Sequence, residues 1–95
     1  MKKFNLREIG YKEILVKNYP IGDCNSPFRI LPELPEVEDT FVYYEHIRVG
    51  EEREIVSKVK NVKWLNDVYV NTKYEFFIVE LENGQIFSVA VLVEI

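Results

Sequence analysis

Asn83-Gly84 lies between two stretches, Lys73 to Leu81 and Gln85 to Ile95, that are rich in β-branched and aromatic residues. Asn-Gly supplies the two positive-φ positions of a type I′ turn, whose twist matches the strands it joins. With Asn83 and Gly84 as the loop, Glu82 faces Gln85, and one face of the ladder pairs Leu81 with Ile86, Val79 with Ser88 and Phe77 with Ala90. The other face pairs Glu80 with Phe87, Ile78 with Val89, Phe76 with Val91 and Tyr74 with Val93. Both faces are mainly apolar, which excludes a solvent-washed edge ribbon. This hairpin belongs at the centre of a sheet or among the innermost strands of a small barrel.

Composition extends that reading to the whole chain. Thirteen valines and nine isoleucines stand against one alanine, Ala90, so strand formers far outnumber the best helix former. The chain has 95 residues, 47% of them apolar, which suits one domain; size scaling allows about 65% of the unfolded surface to be buried, leaving about 5,700 Å². The expected fold is mainly β: a single small antiparallel sheet or partly open β-barrel of 5–6 strands with a C-terminal Asn-Gly hairpin, and room for one short N-terminal helix.

Glu38 to Val49 reads as a strand with Phe41, Tyr43, Ile47 and Val49 inward and Val42, Tyr44, His46 and Arg48 outward. Gly50-Glu51-Glu52-Arg53 follows as a hairpin loop into a strand from Glu54 to about Leu65. A tight turn at Asn66-Asp67 would set Lys60 opposite Lys73, so a bulge or longer loop is expected between Asn66 and Thr72, with Val68 to Val70 a short extended piece. Gly10 to Lys17 fits a strand, while Phe4, Tyr11, Ile14 and Leu15 also fit a helical stripe broken at Gly10. Tyr19 to Pro27 is a loop by composition, Phe28 to Leu31 a short strand, and Pro32 to Glu36 an extended stretch barred from a central ladder by its two prolines.

Charge is concentrated. Residues 33–54 hold eight acids and two bases, a local net charge of −6 in a chain whose total is −4. These acids, Glu33, Glu36, Glu38, Asp39, Glu45, Glu51, Glu52 and Glu54, are candidates for docking on a basic partner surface, although solvated loops and strand faces have the same composition. A smaller basic feature is Lys58, Lys60 and Lys63 with Trp64. On a regular strand Lys58, Lys60, Val62 and Trp64 share a face, the ingredients for stacking single-stranded nucleic acid. The net negative charge and the lack of a broad basic stripe disfavour that reading.

Catalytic and metal-binding sets are weak. His46 is the only histidine, and Glu45 points to the opposite strand face. Tyr44, His46 and Arg48 share a face on a regular strand and resemble a phosphodiester-handling triplet, but a solvated strand face is the commoner source of such a pattern. One Cys, Cys24, and one His cannot make a transition-metal cluster, and no Gly-rich phosphate loop is present, so neither metal nor cofactor is expected. The lone Cys permits no intramolecular disulfide, the start of the chain does not read as a signal peptide, and no apolar run approaches the 20 or so residues of a membrane helix; a reducing cytoplasm is expected. The chain is expected to be a non-enzymatic protein-binding module of the kind common among inhibitors, immunity proteins and blockers of host defence. The alternative is a small barrel binding single-stranded nucleic acid, and the two-sided apolar hairpin also allows a homodimer.

Overall fold

Among the described residues, seven strands form one open sheet that curls into a half-barrel. The structure, a computed structural model, describes residues 1–17, 25–66 and 73–93. The elements are β1 (Lys3–Asn5), α1 (Leu6–Ile9), β2 (Glu13–Lys17), β3 (Asn25–Leu31), β4 (Thr40–Arg48), β5 (Glu51–Leu65), β6 (Tyr74–Leu81) and β7 (Ile86–Leu92), and the strand order is β1-β4-β5-β6-β7-β3-β2. The mainly β, partly open barrel expected from composition is therefore present, with one short helix near the N-terminus. Cys24 and the extended piece at Val68 to Val70 lie outside the described residues.

The sheet is mixed rather than wholly antiparallel. β1 runs parallel to β4 at one edge, and β3 runs parallel to β7 near the other, with β2 antiparallel to β3 outside it. Both parallel contacts come from the N-terminal third, whose strands are distributed to the two ends of a C-terminal meander. Short-range patterning carries no record of such long-range pairing.

β6 and β7 occupy central positions, as expected, but one residue out of the expected register. The ladder pairs Glu80 with Ile86, Phe77 with Val89 and Phe76 with Ala90. Its connection has three residues, Glu82, Asn83 and Gly84, closed by the Gly84 N–H donating to Leu81 O at 3.0 Å and the Leu81 N–H to Gln85 O at 2.9 Å. Gly84 has φ of +91° and Asn83 is not in the left-handed region, the pattern of a type I turn followed by a glycine bulge rather than a type I′ turn. The Asn83 side chain accepts from the Gln85 N–H at 3.0 Å, bracing the loop. Since side chains alternate, the one-residue change moves every β7 residue to the face opposite the expected one.

One face of the sheet buries Phe4, Leu6, Leu31, Phe41, Val59, Phe77, Val79, Leu81 and Val89; the other carries a smaller cluster of Phe28, Leu65, Phe76 and Ala90. Phe28 meets Phe76 edge-on at 5.0 Å, while Phe4, Phe41, Phe87 and Tyr43 form a continuous aromatic row on the larger face with centroid spacings of 5.3, 5.5 and 5.2 Å. Phe76 and Phe77, on opposite faces of β6, are both buried within a single chain, while Ile86 and Leu92 at the ends of β7 stay about half exposed.

β5 changes partners along its length. Glu51 to Lys58 pair with β4, whereas Val59 to Leu65 pair with β6, and a bulge at Lys60 marks the change. Beyond Val56, where β1 also ends opposite Val42, the β4–β5 hairpin runs on as a two-stranded arm. Its turn is Val49-Gly50, with Arg48 opposite Glu51, so the expected loop from Gly50 to Arg53 is shorter and begins earlier. The folded chain exposes 6721 Å², more than the size-scaled expectation, in keeping with a projecting ribbon.

Candidate functional site

The arm gathers half of the candidate docking acids. Glu45 pairs across the ladder with Arg53 and bonds it at 3.0 Å; Glu51 pairs with Arg48, and Glu52 reaches Arg7 of α1. Arg7 is placed by a compact local design. The Asn5 side chain caps α1 by accepting from the N–H groups of Arg7 and Glu8 at 3.1 and 3.3 Å, and Gly10, at φ +84°, ends it after one turn. The Arg7 guanidinium then lies 3.7 Å from the Tyr44 ring centroid while holding Glu52, so it braces the arm by stacking and by charge together.

The remaining acids are elsewhere and do different work. Asp39 is buried: its carboxylate accepts from the Lys2 N–H at 2.8 Å and from the Glu36 N–H at 2.9 Å, with Lys2 Nζ at 3.8 Å. Burial opposes its ionisation, but those two backbone donors, with Lys2 and the N-terminal charge, outweigh it and hold the carboxyl below its usual range. Asp39 is thus a structural latch, not a docking residue. Glu36 ion-pairs with Lys2 at 3.9 Å and Glu38 with Lys58 at 3.6 Å, while Glu33 is exposed. At 3.3 Å per residue, the seven steps along β5 from Lys58 to Glu51 separate this group from the arm tip by roughly 23 Å. The eight acids do not form one patch, and six of them have a cationic partner.

The arm exposes apolar as well as acidic side chains. Val49 at the turn is fully exposed, Ile47 is 52% exposed and Val56 60%. Ile47 and Val49 were expected to point inward; they have no core to enter, because β6 stops opposite Val59 and the arm extends past it. Among the described residues, the edge of β5 that faces β6 carries no strand beyond the loop contacts, where the Glu82 N–H donates to Lys58 O at 2.8 Å and the Asn83 N–H to Ser57 Oγ at 3.2 Å. A notch beside this edge is lined by Tyr43, Glu45, Arg53, Ile55 and Gln85.

Two bulges dissolve the other expected constellations. The register shift at Ile47 leaves His46 opposite Glu52 but Arg48 opposite Glu51, so Arg48 leaves the face of Tyr44 and His46 and the triplet does not assemble. The bulge at Lys60 sets Trp64 opposite Phe77, on the face of the larger core, while Lys63 sits opposite Ile78 and Lys58 opposite Thr40 on the other. Trp64, at 57% exposed, is thereby separated from Lys58, while its neighbour Lys63 lies on the opposite face by simple alternation. Among the described residues no cluster of three or more metal-ligating side chains exists, and no helix is long and apolar enough to cross a membrane.

A cleft that the sequence did not single out opens between α1, β3 and β4. Leu6, Tyr11, Arg29, Tyr43, Phe87 and Arg7 contribute to its lining, along with Tyr44, His46 and Glu52 across the edge of β4, and its volume is about 580 Å³. Its residues come from five separate stretches of chain, and the parallel β3–β7 and β1–β4 contacts join those farthest apart in sequence.

The chain matches no family model, no curated protein and no solved structure against which it was compared. What it can do is therefore argued from its own surfaces.

Proposed function

We propose that this protein is a non-enzymatic binding module, acting in a reducing cytoplasm as an inhibitor or immunity-type protein, and that it docks through the β4–β5 arm. The supporting observation is the combination found on that arm: Ile47, Val49 and Val56 exposed on a ribbon that also carries Glu45, Glu51, Glu52 and Glu54. Exposed apolar anchors ringed by charge are how protein interfaces divide labour, the anchors supplying affinity and the charges orientation and rate. The partner fitting this surface is a protein with an apolar groove bordered by Lys and Arg. Glu33, Glu36 and Glu38 form at most a distant second contact, and Asp39 none.

The experiment is an affinity capture from cell extract with three baits: the wild type, Val49→Ser with Ile47→Ser, and Glu51→Gln with Glu54→Gln. The expected result is a protein retained by the wild type, lost with the serine variant, and held more weakly and with less salt dependence by the glutamine variant. A captured set identical for all three baits overturns the assignment to the arm. Recovery of nucleic acid, with binding abolished by Trp64→Ala and not by the arm variants, favours the single-strand reading instead.

A further inference from the structure

We propose that the cleft between α1, β3 and β4 is a second, independent binding site, for a small organic anion: an aromatic or apolar body bearing a carboxylate or phosphate. Arg29 is the central residue of the cleft. It lies opposite Val89 on the face of the larger core, and its guanidinium enters the cleft. Nη2 donates to Leu6 O at 2.7 Å and to Gly10 O at 3.1 Å, so one nitrogen ties the first residue of α1 to its C-cap and fixes the group in place. Nε is buried with no hydrogen-bond partner. Among the described residues no carboxylate comes within ion-pairing distance of this arginine.

The nearest candidate counter-ion is engaged elsewhere. Glu13 stands directly opposite Arg29 across the β2–β3 ladder, but it accepts from the Tyr11 hydroxyl, whose ring offers its face to the guanidinium at 5.0 Å. Arg7, the other cation of the cleft, is matched by Glu52. The lining therefore holds two cations and one carboxylate, inside a protein that is otherwise acidic. A partly buried guanidinium with an unpartnered N–H and no ion-paired carboxylate is costly unless a further acceptor completes it. The walls suit an organic anion rather than a bare ion: Leu6, Tyr43 and Phe87 present apolar and aromatic surface, and the volume is within the range of small-molecule sites.

The test is an NMR titration of the intact protein with benzoate, phenyl phosphate and, as the uncharged control, benzamide, following the Arg29 side-chain Nε–H and the backbone amides of Leu6 to Gly10. Saturable shifts confined to these groups are expected with at least one of the two anions, with a dissociation constant of about 1 mM or tighter and at least about tenfold weaker binding of benzamide. Whichever anion binds more tightly identifies the headgroup. Arg29→Lys keeps the charge but not the planar fork, and is expected to weaken binding about tenfold. Because Arg29 also fastens α1, Glu13→Gln serves as a variant that leaves that link intact, and it is expected to bind the anion at least as well as the wild type. Equal shifts with benzamide, or no saturable shift with either anion, overturn the proposal; neither result bears on the arm.

Discussion

The β6–β7 hairpin and the β4–β5 arm are ribbons of similar kind with opposite surroundings. β6–β7 has a strand on each outer edge and a core cluster on each face; the arm has α1 against one flank and, past Ser57, no strand on its other edge. In β6 and β7 the apolar residues are the structure. In the arm, where an isolated two-stranded ribbon would be marginal, the backbone ladder is braced by Arg7, Arg48 and Arg53 on Glu52, Glu51 and Glu45, and the apolar residues are left free to meet something else.

The largest effect that this contrast predicts is at Leu81, which is fully buried between the two halves of the sheet. Leu81→Ala is expected to cost about 3 kcal/mol of unfolding free energy, read by urea titration, because the cavity is enclosed by neighbours that cannot collapse. A cost near zero would mean that the hairpin is not the core.

Asp39 comes next. Its pKa is depressed in the folded state, so its contribution is complete above the unfolded carboxyl pKa and is lost as pH falls through the lower folded value. Asp39→Asn is expected to cost about 1–3 kcal/mol at neutral pH, since the Lys2 and Glu36 N–H groups lose a charged acceptor. The penalty shrinks below about pH 4, where the wild-type carboxylate in the unfolded chain is protonated too. A penalty independent of pH would remove the charge from the explanation. Gly84→Ala is expected to cost about 1 kcal/mol from backbone conformation alone, because φ is +91° and the space beside its Cα is open.

How much of this was legible in the sequence follows from where the alternation of side chains holds. It holds through β6, so the central, doubly apolar hairpin was readable, as was the absence of a helical core. It fails at three places: the third loop residue at Glu82 to Gly84, the bulge at Ile47 and the bulge at Lys60. Each adds one residue to one strand, and each reverses the faces beyond it. The expected faces of β7, the Tyr44–His46–Arg48 triplet and the lysine–tryptophan face were all lost to such single insertions. Asp39 was grouped with the docking acids because burial cannot be read from charge, and the cleft around Arg29 was invisible because parallel pairing joins segments far apart in sequence.

The smallest expected effects on stability are the ones that separate fold from function. Arg7→Ala removes an exposed ion pair and a stacking contact, so about 0.5–1 kcal/mol is expected globally. Its larger signature is local: amide exchange in Tyr43 to Ile55 speeds up while β6 and β7 are unchanged. Val49→Ser should not register in a melt at all, because a fully exposed valine buries nothing that serine would expose. If that variant unfolded at the wild-type midpoint yet lost its partner, the valine would be retained for contact rather than for folding. If it destabilised the chain by more than about 1 kcal/mol, the arm would be packed against something in solution, and light scattering would then be expected to show a second copy of the chain on it. The contrast between the two ribbons therefore rests on a residue whose removal is expected to change nothing in the folded chain by itself.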